Sequence, residues 1–112
     1  MRVYRHGDVT IVEVSEEAYQ AAKARGQVAP EAASYVLARG EATGSVHALA
    51  VEQPDQLEIV QEGETLWLRL MTEGRLTHTS DHEPLTIAPG RYRQVPERER
   101  DWFADAVRRV VD

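Results

Sequence analysis

The chain has 112 residues, 42% hydrophobic and 29% charged, which suits one soluble globular domain with its own core. Its net charge of −6 disfavours a polyanionic partner, so nucleic acid is not expected. The absence of cysteine excludes disulfides, thiolate metal centres and cysteine nucleophiles, and no apolar run reaches the ~18 residues of a membrane span.

The opening residues also lack the apolar stretch of a secretory leader, and a cytoplasmic location away from membranes is the expectation. The first pattern along the chain is extended. In VYRHGDVTIVEV, Val9 and Ile11 fall on one side and Thr10, Val12 and Val14 on the other, and Gly7-Asp8 marks a bulge or a tight turn. The period then changes. Ser15 suits a helix N-cap, Glu16 and Glu17 the first turn, Lys23 and Arg25 the last, and Gly26 the stop. These signals predict one helix of about three turns, with an alanine-rich apolar face that lies over the domain rather than inside it.

From residue 34 the grammar of strands repeats. SYVLARG leads to a turn at GEATGS, then SVHALAV, a loop at EQPDQ, LEIV, a turn at QEGE and TLWLRLM; RLTHTS, LTIA and RYRQV follow, the last after a Pro89-Gly90 turn. Leu66, Leu68 and Leu70 share one face, while Trp67 faces the other way and either covers the helix or enters a subunit contact. Residues 102–111 satisfy both a helix and a closing strand. The late arginines Arg91, Arg93, Arg98, Arg100, Arg108 and Arg109 alternate with Glu97, Glu99, Asp101 and Asp105, and read as a solvated, self-paired face. Short strands closed by glycine and proline turns predict a mainly β fold. The expected form is a small antiparallel barrel or sandwich with one α-helix in the N-terminal half, residues 1–112 forming a single β-rich domain.

Strand parity then orients the histidines. Side chains two apart share a face, so Ser45, His47, Leu49 and Val51 lie opposite Val46, Ala48 and Ala50. The bulkier set is the former, and His47 is expected to point inward with Ser45 beside it. His78 shares its face with Leu76 and Ser80 and is expected inward too. His6 falls in phase with Tyr4, and His82 sits near a strand start. Imidazoles at strand ends on one face are a natural way to build a metal site. His78 and His82 would stand ~13 Å apart if the chain were extended, so they can share an ion only across a bend at Ser80-Asp81. Three readings stay open: a shared metal site, a metal-free polar pocket, and histidines that only fill the core. Ser45 or Ser80 with a neighbouring histidine and Asp81 or Glu41 does not amount to a recognisable triad.

Several stretches resemble a family of small bacterial and phage-encoded proteins of about this length. Its members carry an opening GDV strand, a GE-TGHAH stretch, a histidine–acid–histidine segment, a PG-Y turn and a QREY stretch. The matches here are Gly7-Asp8-Val9, GEATGSVH at 40–47, Asp81-His82 with Pro84, APGRY at 88–92 and ERE at 97–99. The resemblance covers nearly the whole length and implies a shared fold and a place for a site, but no activity. Ser45 stands where the family has the first histidine of HAH, which removes one candidate ligand. Pro96 and Arg100 stand in place of the glutamine and tyrosine of QREY.

Two functions are therefore expected. The first is a small soluble binding or accessory module whose pocket is lined by Ser45, His47, His78, Asp81 and His82, with a small molecule or a protein as partner and self-association open. The second is a metalloprotein, such as a hydrolase, with a divalent ion (zinc first) on His47, His78 and His82 and with Asp81 or Glu83 as base or supporting group.

Overall fold

The computed structural model describes residues 1–39, 46–79, 83–96 and 99, so segment 102–111 with its two readings lies outside the described residues. Strands β1 (Val3–His6) and β2 (Val9–Glu13) form a hairpin in which His6 pairs with Val9. Gly7-Asp8 is thus a two-residue turn, and Gly7 takes a φ of +60°, where a side chain is strained.

Helix α1 (Glu16–Arg25) follows as its end signals predict. The Ser15 hydroxyl accepts from the Ala18 amide at 3.1 Å, with acids in the first turn and bases in the last. Gly26 stops it for a reason other than left-handed backbone. Its N–H donates to the Ala22 carbonyl at 2.8 Å in an extended conformation, and a Cβ there would lie 2.6 Å from the Gln61 carbonyl oxygen. The glycine lets the helix end pass against a neighbouring strand.

Then come β3 (Gln27–Val28), β4 (Ser34–Arg39) and β5 (Val46–Ala50), a 3-10 turn at Pro54–Gln56, β6 (Leu57–Glu62), β7 (Thr65–Leu70), β8 (Gly74–His78), β9 (Leu85–Ile87) and β10 (Gly90–Gln94). One sheet runs β1-β2-β10-β7-β6-β3 and the other β4-β5-β8-β9, with every pair antiparallel. Among the described residues the two sheets do not join into a barrel, and the arrangement is that of a sandwich.

The large sheet is apolar on both faces. Val9, Ile11, Leu57, Ile59, Leu66, Leu68, Leu70 and Tyr92 meet Leu37, Leu49, Leu76 and Ile87 of the small sheet in the main core. On the opposite face Val60 and Trp67 pack with Tyr19 and Ala22 of α1, so Trp67 does cover the helix. The helix is also held by polar contacts. Tyr19 donates to Glu58 at 2.8 Å and Lys23 to the same carboxylate at 3.0 Å. Arg25 pairs with Glu62, Glu16 pairs with Arg69, and the Arg69 guanidinium sits 4.8 Å from the Tyr19 ring centroid.

Between β9 and β10 the chain passes from one sheet to the other at Ala88, and two phenols pin it there. Tyr92 donates to the Ala88 carbonyl at 2.7 Å, and the Tyr4 hydroxyl accepts from the Ala88 amide at 3.2 Å. The two rings meet edge to face with centroids 5.8 Å apart. No helix among the described residues is long and apolar enough to cross a membrane.

Candidate functional site

The inward rows of the small sheet run from aliphatic to imidazole. Leu49 of β5 lies directly opposite Leu76 of β8, and two residues along each strand His47 lies opposite His78. Leu49 and Leu76 are fully buried, His47 is 7% exposed and His78 is half-buried, which is the inward parity that the spacing predicts. Thr79 fixes this end of the pair, its hydroxyl accepting from the Val46 amide at 3.1 Å.

A third imidazole arrives from the large sheet. Tyr4 packs against the main core, and the period of β1 carries His6 to the same side beyond it. The Nδ1 atoms of His6 and His47 are 3.2 Å apart. Ring centroids lie 4.2 Å apart for His47 and His78, 5.3 Å for His6 and His47, and 6.5 Å for His6 and His78. Nε2 of His6 lies 3.2 Å from the Glu83 carbonyl oxygen, which can only accept. That contact places a hydrogen on Nε2, so in the neutral ring Nδ1 of His6 is a bare lone pair and His47 is the donor between them.

Gly7 closes one side of the cluster. A Cβ at this position would stand 2.9 Å from Cε1 and 3.2 Å from Nε2 of His47, so the turn glycine gives the ring its room as well as the backbone its sign of φ. The His47 pKa is held below its ordinary value. Burial disfavours the imidazolium first, His78 and His6 add like-charge repulsion, and the negative charge of Asp8 opposes them. The shift favours the neutral, hydrogen-bonding form of His47 at the centre of the cluster.

Of the residues expected at the site, the structure brings His47 and His78 together. Ser45, Asp81 and His82 lie outside the described residues. His6, which was not in the expected set, takes a place in it. Its phase with Tyr4 was the one local signal, but which strand of one sheet faces which of the other is not written in any single stretch. Two clefts are lined by other residues. One, of about 260 Å³, runs between Tyr35–Leu37 of β4, the β6–β7 turn and the end of β10. The other follows β4 from Tyr35 to Arg39. Among the described residues no three histidine, aspartate or glutamate side chains already form a metal-ready group.

No curated protein and no solved structure matches the chain. A family model does match, over residues 5–96, a span that contains His6, His47 and His78 together with both sheets except the first two residues of β1. The chain belongs to the family described as Domain of unknown function (DUF8820).

Proposed function

We propose that the protein is a non-catalytic binding module of the cytoplasm whose ligand-binding end is formed by His6, His47 and His78, and that its ligand is small. The observation that supports this reading is the row of facing pairs, Leu49 with Leu76 and then His47 with His78. A further aliphatic pair would continue the core at lower cost. Instead the row ends in polar rings that need partners and repel one another once charged, and a third ring is added from the other sheet. Such a local conflict with good packing is expected where a site overrides the demands of folding. Catalysis is not part of the proposal, because the cluster supplies imidazoles without a nucleophile in a defined geometry beside them.

The test has two parts. Imidazole carbon–proton resonances of the full chain are followed while zinc chloride, inorganic phosphate and acetate are added in separate titrations. At least one of the three is expected to shift the signals of His6, His47 and His78 together, saturably. In parallel, His47→Leu is expected to keep stability within about 1 kcal/mol of the parent, since it extends the aliphatic row at similar volume. Silence from all three ions, combined with a His47→Leu variant that loses much more than this in urea unfolding, would make the rings structural filling and end the proposal.

A further inference from the structure

We infer that His6 and His47 are a preset pair of nitrogen ligands for a divalent transition-metal ion, bound through Nδ1 of each ring with His78 as third ligand. This deepens the binding reading above and rests on it.

Distance is the first argument. Two nitrogens bound to a tetrahedral zinc ion at their usual 2.0–2.1 Å stand about 3.3 Å from one another. The Nδ1 atoms of His6 and His47 are 3.2 Å apart. A hydrogen bond now joins the two nitrogens, and an ion at its usual distance from both would sit about 1.3 Å to one side of the line between them. Because the neutral His6 ring carries its hydrogen on Nε2, the bridging proton belongs to His47. For the ion to enter, the Nδ1 proton of His47 is lost to solvent while Nε2 of the same ring takes one up, so the ring stays neutral, and a small turn of both rings then brings the two Nδ1 lone pairs to one point.

The supporting contact is the second argument. Ligating histidines commonly donate their second ring N–H to a carboxylate or a backbone carbonyl, which fixes the tautomer and the ring plane. His6 already does so, through Nε2 to the Glu83 carbonyl at 3.2 Å. A histidine that merely fills space has no need for its free nitrogen to be aimed at a second imidazole while the other is tethered to the backbone.

The His78 ring lies 4.2 Å from that of His47 and 6.5 Å from that of His6, so its service as third ligand requires the ring to turn toward the pair, about a torsion whose minima are broad. Three imidazoles leave an open position for water or a small ligand. A nitrogen set of this kind suits zinc, nickel or copper and not magnesium or calcium, which take oxygen. Asp8, on the turn beside the cluster, contributes a negative charge felt at His47, which favours a cation there.

The experiment uses the full chain without a histidine tag, stripped with chelator and titrated with zinc chloride by calorimetry and thermal melting. One equivalent is expected, with a rise in Tm of more than about 5 °C at saturating zinc. His6→Ala is expected to lower affinity by at least about 100-fold, since even loss of a supporting contact to a ligand costs 10–100-fold. This variant is the decisive one, because His6 lies on an outer strand and is half-buried. His78→Gln is expected to weaken binding without abolishing it. Cobalt in place of zinc should give visible absorption typical of nitrogen ligation in the parent and lose it in His6→Ala. Absence of heat and of a Tm shift, or zinc affinity unchanged in His6→Ala, overturns the inference. Zinc silence alongside a saturable imidazole response to phosphate or acetate would overturn the metal and leave the binding reading standing.

Discussion

Gly7 stands where φ is +60° and where a Cβ would lie 2.9 Å from Cε1 of His47, so two independent constraints fall on one position. The backbone constraint alone costs a non-glycine residue roughly 1–2 kcal/mol. The steric one depends on the ring and disappears with it. Gly7→Ala is therefore expected to destabilise by about 2–3 kcal/mol in the parent, and by only about half of that in a His47→Ala background. Urea unfolding of the four proteins of this cycle measures the difference. Equal penalties in both backgrounds would mean that the ring does not lie against the turn, and the geometry of the cluster would be wrong. At this scale the sequence was readable through parity: alternation in SVHALAV and RLTHTS turned His47 and His78 inward. It could not show that they meet His6. Parity says toward which face a residue points, but the facing of two sheets is set by long-range packing, which no window of residues contains.

On the scale of elements, α1 is the instructive case. Its ends were legible, because the Ser15 hydroxyl and the flanking charges act over one turn. Strand β3 was not, since two residues carry no period; it exists because Gly26 lets the chain run alongside β6. The helix buries only Tyr19 and Ala22 in the core, so its docking also draws on polar contacts, the shared carboxylate of Glu58 among them. Burial would raise the pKa of Glu58, yet hydrogen bonds from Tyr19 and Lys23 outweigh it and hold the group below its ordinary 4.5. In the unfolded chain this carboxylate takes its proton near 4.5, and in the folded chain only at lower pH. Between those values the unfolded state binds more protons, so the contribution is present above 4.5 and is lost as pH falls through the folded value. Glu58→Gln keeps an acceptor for Tyr19 but has no charge to lose. The parent is expected to be more stable than this variant by about 1–2 kcal/mol at about pH 7, and the gap should be smaller at about pH 3. Urea midpoints at the two pH values check it; a gap independent of pH would show that the charge of Glu58 does not hold the helix.

For the molecule as a whole, the large sheet serves two cores, one on each face, and each contains a fully buried tyrosine. Tyr92 lies between the sheets and Tyr19 between the sheet and α1. Burial raises both phenols above their ordinary 10.0, with the Tyr4 phenol adding to it at Tyr92 and Glu58 at Tyr19; Tyr92 reaches about 12. Raised values fix the sign. The neutral phenols stabilise the fold fully below pH 10, where the unfolded chain begins to ionise, and that contribution is lost as pH rises toward the folded values. Of the four tyrosines in the chain, the phenolate absorbance of these two should therefore appear late and together with loss of near-ultraviolet circular dichroism, because neither can ionise without opening its core. The two cores can be separated by substitution. Tyr19→Phe removes one late phenolate and leaves that of Tyr92 coupled to unfolding; Tyr92→Phe does the reverse. If all four ionise in one early step with the tertiary signal intact, water reaches both faces of the large sheet. The histidine end would then be the mouth of an open structure and not the polar end of a packed row.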